Sequence, residues 1–364
     1  MGQENGLQDL HLHLNGSLSD DFLEMVAERN GVPELYLEFK KKRDDYIQKS
    51  NKYLNAQQPK EVISLVWELF SLIHQIMQTN QDIQDAVVDV AKHSQAEYLE
   101  IRSTPKGKTE KEREAYIQAF VLGLEEANNL PGKIVKGILS IDRTTTTEEQ
   151  ADKLIARIVQ EKKATGSLVG IDISGNPAGN RKIAGETLSH IITSALDQGI
   201  GIAIHAGETE KSPEPKDIDT MIRTLQNWRN NQDIPEGENI FHGKVRLGHM
   251  IYFSDEQAEQ IKEMGIPIEV CPTCHRRMNW LTGSNEHPVK KIYEKGENVA
   301  LGTDDETIFG SGIQEEMELL LLVFKHLANI PIEEIYERHS TFRFFQPEQE
   351  GRAMPESAAS ECQA

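Results

Sequence analysis

Short apolar runs rich in β-branched residues alternate along this chain with longer stretches whose apolar positions recur at helical spacing. That alternation predicts a parallel α/β fold in which a helix follows each strand. Eight runs read as strands: Gln8 to Leu14, Glu97 to Arg102, Ile134 to Ile141, Leu168 to Ile173, Gly201 to His205, Lys244 to Gly248, Pro267 to Cys271 and Asn298 to Gly302. Helical periodicity fills the gaps, for example over Glu148 to Lys163, Ala184 to Gln198, Asp217 to Asn230, Asp255 to Met264 and Gly312 to Leu327. Eight such units close a (β/α)8 TIM barrel, and no G-x-G-x-x-G follows a strand to favour a doubly wound sheet. The stretch from 17 to 96 is too long for one crossover. Helical spacing over Asp20 to Asn30, Pro33 to Ile47, Lys60 to Met77 and Ile83 to Gln95 makes it a helical insertion over the barrel mouth. Residues 1–345 are therefore expected to form one barrel domain, and the polar, small-residue-rich segment 346–364 a disordered tail.

Charge narrows the partners. Lys and Arg total 39 against 59 Asp and Glu, a net charge of -20, so nucleic acid would be repelled and a small molecule is the better substrate. No apolar run reaches the ~18 residues of a membrane span, and the opening MGQENGLQDLH has no basic or apolar leader region. The expectation is a cytoplasmic monomer with no membrane partner. Three cysteines, Cys271, Cys274 and Cys362, are too few for a disulfide scaffold. Cys271 to His275 reads CPTCH, which matches haem-attachment and redox patterns only in outline, so a plain loop with two thiols is expected there. The Lys40 to Arg43 run reads as a solvated helix face.

Four strings, DLHLHLNGS, IHAGE, RLGHM and LGTDDE, place His or Asp at the ends of apolar runs. Alternate residues of a strand share a face, so His11 and His13 point the same way. His205 and Asp304 close two other strands, and three imidazoles with one carboxylate suit a zinc ion with a position left open for water. In a barrel the reactive groups gather at the C-terminal strand ends, where all of these lie. Glu208, three residues past His205, suits a proton shuttle. His249 can hold the attacking oxygen, and Asp305 can point from its neighbour toward a substrate. The set describes hydrolytic attack. The His-x-x-Glu spacing, with Val270 before Cys271, does not match the thiolate-ligated cytidine-deaminase type of site.

HLHLNGS, GIDISGN, IHAGE, RLGHM and TDD also occur in the order and spacing of the adenosine deaminase family, which the chain resembles from about Leu10 to about Leu327. The resemblance implies a zinc-bearing (β/α)8 barrel that replaces a purine 6-amino group by oxygen. By matching position it makes His11, His13, His205 and Asp304 the ligands of one Zn2+, Glu208 the group that protonates purine N1 and His249 the residue that positions the hydroxide. It makes His13, Gly175 and Asp305 substrate contacts, the last two to ring nitrogens.

HLNGS and YLEIRSTPKG resemble the adenosine-deaminase-like branch, which acts on N6-methyl-AMP. Asn15 stands where nucleoside-specific members typically carry Asp, and an amide does not repel a 5′-phosphate. Ser103, Thr104, Pro105 and Lys106 place two hydroxyls and an ammonium just past strand two, the groups a phosphate needs. His74 and Asp142 resemble further substrate contacts of that branch. The implied reaction converts N6-methyl-AMP to IMP and methylamine. Deamination of adenosine itself and a non-catalytic nucleoside-binding barrel are the alternatives. One departure is CPTCHRRMNW where the family usually has CPTSN: Arg276 and Arg277 could favour an anionic substrate, and His275 could compete as a metal ligand. Another is HSTFRFFQPEQEG, which lacks the family's closing helical segment and predicts an irregular last turn.

Overall fold

The computed structural model describes residues 6–52, 59–234, 238–281 and 286–345; the expected tail at 346–364, with Cys362, lies outside them. Eight parallel strands run in chain order around one sheet. They are β1 (Gln8–His13), β2 (Tyr98–Ser103), β3 (Ile134–Asp142), β4 (Leu168–Ser174), β5 (Gly201–Ala206), β6 (Val245–His249), β7 (Ile268–Val270) and β8 (Val299–Leu301). After β8 the chain returns to β1: Asp304 N–H donates to His11 O at 2.7 Å and His13 N–H to Asp304 O at 2.8 Å. The fold is the expected TIM barrel.

The segment after β1 forms helices α1 (Asp20–Arg29), α2 (Pro33–Lys52), α3 (Pro59–Ile76) and α4 (Asn80–His93). Outer helices α5 (Glu110–Ala127), α6 (Glu148–Ala164), α7 (Gly185–Asp197), α8 (Glu214–Asn230) and α9 (Asp255–Met264) follow strands two to six. Capping boxes start α4, α5, α6 and α9 at Thr79, Thr109, Thr147 and Ser254, each satisfying two otherwise orphaned N–H groups. Helix α5 fills a gap that periodicity left unassigned. It buries Tyr116, Ile117, Phe120, Val121 and Leu124 between α4 and the barrel, so its apolar positions spread beyond one stripe.

Two expectations change. Cys271 to His275 is not a loop: Pro272 opens a short helix, α10 (Pro272–Arg277), with both thiols buried. Arg43 leaves the solvated face and pairs in a buried position with Asp20 at 2.5 Å. The chain after β8 is helical as far as Ser340 and irregular over 341–345, as HSTFRFF leads one to expect. It forms α11 (Glu306–Phe309), α12 (Ile313–Val323) and α13 (Ile332–Ser340). Phe342 then packs on Leu10, Tyr98 and Ala300, and Phe344 on Ile138, Val169 and Ala203. Glycine makes that plug fit, because a Cβ at Gly201 would fall 2.1 Å from the Phe344 ring.

Candidate functional site

The strand ends bring His11, His13, His205 and Asp304 together, with ligand-capable atoms all within 4.8 Å of one another. His13 Nε2 and His205 Nε2 face each other at 3.1 Å. Asp304 Oδ1 lies 3.3 Å from His11 Nε2 and 3.5 Å from His13 Nε2. His11 Nε2 is buried yet makes no hydrogen bond, the Asp304 oxygen being near but poorly aligned. Orphaned buried nitrogens are costly, and an imidazole lone pair aimed at two other imidazoles and a carboxylate fits a divalent cation. Burial alone would raise the Asp304 carboxyl, but His11, His249 and His13 hold it well below the usual carboxylate range.

Behind the four stands a layer of buried charge that the sequence reading missed. His11 Nδ1 lies 2.6 Å from Glu269 Oε2, and His205 Nδ1 lies 3.0 Å from Asp172 Oδ1. Arg102 bonds Glu269 and lies 3.3 Å from Asp172, while Arg246 reaches Glu269 at 2.7 Å and Glu100 at 2.5 Å. With Nδ1–H donating its hydrogen bond to the carboxylate, each imidazole keeps its Nε2 lone pair free for the centre. The available signal was charge inside runs that a parallel strand otherwise fills with apolar residues: YLEIRS, GIDIS, VRLGH and IEV each break the pattern.

A cavity of about 420 Å³ opens above the cluster. Its lining includes His13, His205 and Asp304 together with Asn15, His74, Ser103, Thr104, Pro105, Lys106, Asp142, Gly175, Glu208, His249 and Asp305. The residues expected to hold the metal, the substrate or the reacting atoms therefore meet in one space, His11 lying beneath it. The insertion contributes Val66, Trp67 and Phe70 from α3, an apolar wall fit for a flat ring. A larger surface hollow of about 950 Å³ shares none of these residues, and the convergent chemistry selects the smaller one.

Backbone strain marks the same spot. His249, Met250 and Asp304 have φ of 67°, 48° and 64°, a region that costs a side-chain-bearing residue energy and that clusters at functional sites. Gly16 leaves room for Asp305, whose Oδ1 would lie 1.7 Å from a Cβ there. Burial and the neighbouring Asp304 push the Asp305 carboxyl well above its ordinary value. Burial also raises Glu208, against the opposing pull of Arg143, which donates to its Oε2 at 2.7 Å. Burial pushes Lys106 down to about 7. Ser103 Oγ shares a 2.7 Å hydrogen bond with Tyr116 Oη. Asp142 Oδ1 accepts from the Thr144 N–H and hydroxyl at 2.8 and 2.6 Å.

Arg276 and Arg277 do not line the cavity. Arg277 instead ties α10 to α2, donating to Ile47 O and Ser50 Oγ at 3.2 and 3.0 Å. His275 spends both ring nitrogens on other histidines and is not one of the four converging groups.

The model of the adenosine deaminase family matches residues 7–337. The adenosine deaminase-like protein of Drosophila melanogaster is 26% identical over 314 residues, covering 85% of this chain and 82% of its own. The N6-mAMP deaminase of Arabidopsis thaliana is 26% identical over 340 residues, 85% of this chain and 84% of its own. The crystal structure of the Arabidopsis N6-mAMP deaminase superposes with a TM-score of 0.73 at 24% identity, covering 95% of this chain and 96% of that one, a likeness of fold. Among the described residues no helix is long and apolar enough to cross a membrane.

Proposed function

The chain belongs to the adenosine deaminase family, and from that premise we propose that it is a zinc-dependent hydrolase of 6-substituted purine 5′-monophosphates, with N6-methyl-AMP as substrate and IMP and methylamine as products. The observation that carries this reading is the single cavity whose lining combines the His and Asp cluster, a buried Glu208, and Asn15, Ser103, Thr104 and Lys106. The N6-mAMP deaminase among its relatives points the same way.

His11, His13, His205 and Asp304 would hold one zinc ion, which lowers the pKa of water from about 15.7 to about 7. Glu208, whose burial favours the neutral carboxyl, would give its proton to purine N1 as a water oxygen bonds to C6. His249 orients that oxygen. Asp305, whose carboxyl burial and Asp304 push well above its ordinary value, would offer an O–H to a ring nitrogen, and the Gly175 backbone, at φ 118°, would present an N–H to the purine edge. The C6–N6 bond then breaks: one proton of the water leaves with the amine, the other returns Glu208 to its acid form, and the proton given to N1 stays on the product. Lys106 and the Ser103 and Thr104 hydroxyls face the 5′-phosphate, while Asn15 lets that dianion approach without meeting a carboxylate. His74 and Pro105 close the wall beside them, and Asp142 fixes the turn against which Gly175 sits.

An ultraviolet assay of zinc-loaded protein on N6-methyl-AMP, AMP and adenosine side by side tests the proposal. The methylated monophosphate should be turned over fastest and release methylamine; a preference for adenosine would replace this reading with nucleoside deamination.

A further inference from the structure

Three buried histidines stand in file from the cavity to the outside of the barrel wall. His249 Nδ1 lies 3.0 Å from His275 Nε2, and His275 Nδ1 lies 2.7 Å from His287 Nε2. They come from separate places: the end of β6, the middle of α10, and the residue before a short 3-10 turn at Pro288–Lys291. His249 lines the 420 Å³ cavity and His287 the separate 950 Å³ hollow. Trp280 flanks the file, its ring 5.3 Å from that of His249 and 5.9 Å from that of His275.

A file of neutral imidazoles can carry its protons in two orders. Each ring donates from one nitrogen and accepts at the other, so fixing one ring fixes all three. Either every proton sits on Nε2 and the bonds point toward the cavity, or every proton sits on Nδ1 and they point away. The outer end decides between them. The Val289 backbone N–H donates to His287 Nδ1 at 3.3 Å; it lies in the first turn of its helix, where an N–H has no carbonyl within the helix to bond. A protonated Nδ1 could not accept it. His287 therefore carries its proton on Nε2 and donates to His275 Nδ1. His275 Nε2–H in turn donates to His249 Nδ1, which leaves the His249 proton on Nε2, the ring nitrogen free for the cavity. Burial keeps His275 well below its ordinary value and His287 at about 4, consistent with neutral rings.

We infer that His275 and His287 are positioning residues which, anchored by the Val289 N–H, lock His249 as a hydrogen-bond donor to the attacking oxygen and bar it from acting as the base that removes that oxygen's proton. The inference rests on the role proposed for His249, but the proton order itself does not depend on which purine is the substrate.

Neutron diffraction from crystals of the zinc-loaded protein grown in D2O reads that order directly. Deuterium is expected on Nε2 and not on Nδ1 of His249, His275 and His287; deuterium on His249 Nδ1 overturns the inference whatever the substrate proves to be. Kinetics supply the second arm. His275→Leu removes the donor to His249 and should lower kcat about tenfold to a hundredfold, with KM within about twofold and zinc content unchanged. His275→Gln should recover most of kcat, because one amide can accept from His287 and donate to His249. An unchanged kcat in the Leu variant, or a Gln variant as impaired as Leu, counts against the relay. Should the Leu variant not fold, His287→Phe with the wild-type neutron map still decides: it leaves His275 Nδ1 without a donor and should show mixed tautomers at His249.

Discussion

At the scale of single residues, the site depends on carboxyls and an ammonium held away from their ordinary protonation states. Glu208 is buried and raised, which suits a proton donor at neutral pH. Glu208→Gln keeps the shape and the zinc but cannot pass a proton, so kcat should fall at least a hundredfold with metal content unchanged by elemental analysis; near-normal turnover would mean that another group protonates the base. In the proposed reading, Lys106 separates nucleotide from nucleoside. Charge-assisted hydrogen bonds contribute about 1.5 to 3 kcal/mol each, so Lys106→Ala should cost roughly ten- to hundredfold in kcat/KM on the monophosphate and leave adenosine turnover nearly unchanged. Asn15→Asp should act the same way, through repulsion rather than a lost contact. The pH dependence has a definite sign. Free Lys106 loses its proton near pH 7, whereas a phosphate beside it favours the charged form and raises that value. Binding then takes up a proton, and KM for the monophosphate should climb as pH rises through about 7 while KM for adenosine stays flat; parallel profiles would place the phosphate elsewhere. Residues of this first layer were legible because each stands at a strand end in a recognisable string. The layer beneath was not: Asp172 and Glu269 reach His205 and His11 from other strands, Arg102 and Arg246 hold those carboxylates in turn, and Arg143 reaches Glu208 from a loop. Sequence adjacency carries no trace of such pairings.

Among the elements, strands were the easiest to read, because parallel strands buried on both faces are compact apolar runs whose ends shift by only a residue or two. Helices that bury more than one face were harder, as α5 illustrates. The stretch at Cys271 to Arg277 misled for a different reason: six residues cannot display a period, and the cue was Pro272 at the first helical position. The C-terminal string HSTFRFF reads as irregular and is so over 341–345; what the string did not show is that its aromatic residues seal the barrel floor. Phe342 is fully buried against Leu10, Tyr98 and Ala300, on the face opposite the site, where a barrel spends residues on stability rather than chemistry. Phe342→Ala should therefore cost about 3 to 5 kcal/mol of stability and leave kcat within about twofold. Urea unfolding with parallel kinetics checks it, and a large loss of kcat at unchanged stability would show that floor and site are coupled.

For the molecule as a whole, the weakest joint is where the barrel closes. Strands β7 and β8 have three residues each, and beyond β8 the return to β1 is held by the Leu12–Asp304 bridge and its two hydrogen bonds. The four converging groups straddle this joint, with His11 and His13 on β1, Asp304 just past β8, and His205 across the barrel on β5. An ion bound there would join both sides of the seam. Its removal takes away the charge that the clustered imidazole nitrogens and the buried Asp304 carboxylate converge on, so the apo protein should be destabilised locally as well as globally. Ligand linkage gives about 4 kcal/mol at a free ion concentration a thousandfold above Kd, which for a barrel of this size corresponds to roughly 5 to 10 °C in Tm. Stripping the metal with a chelator should lower Tm by that amount, and zinc should restore it. Hydrogen exchange should quicken first at the His13 and Asp304 amides, while the β3–β4 and β4–β5 ladders, remote from the seam, stay protected. Uniformly faster exchange, or a Tm indifferent to chelation, would show that the barrel closes without the ion, and the four residues would then be a site the fold preforms rather than a clasp it relies on.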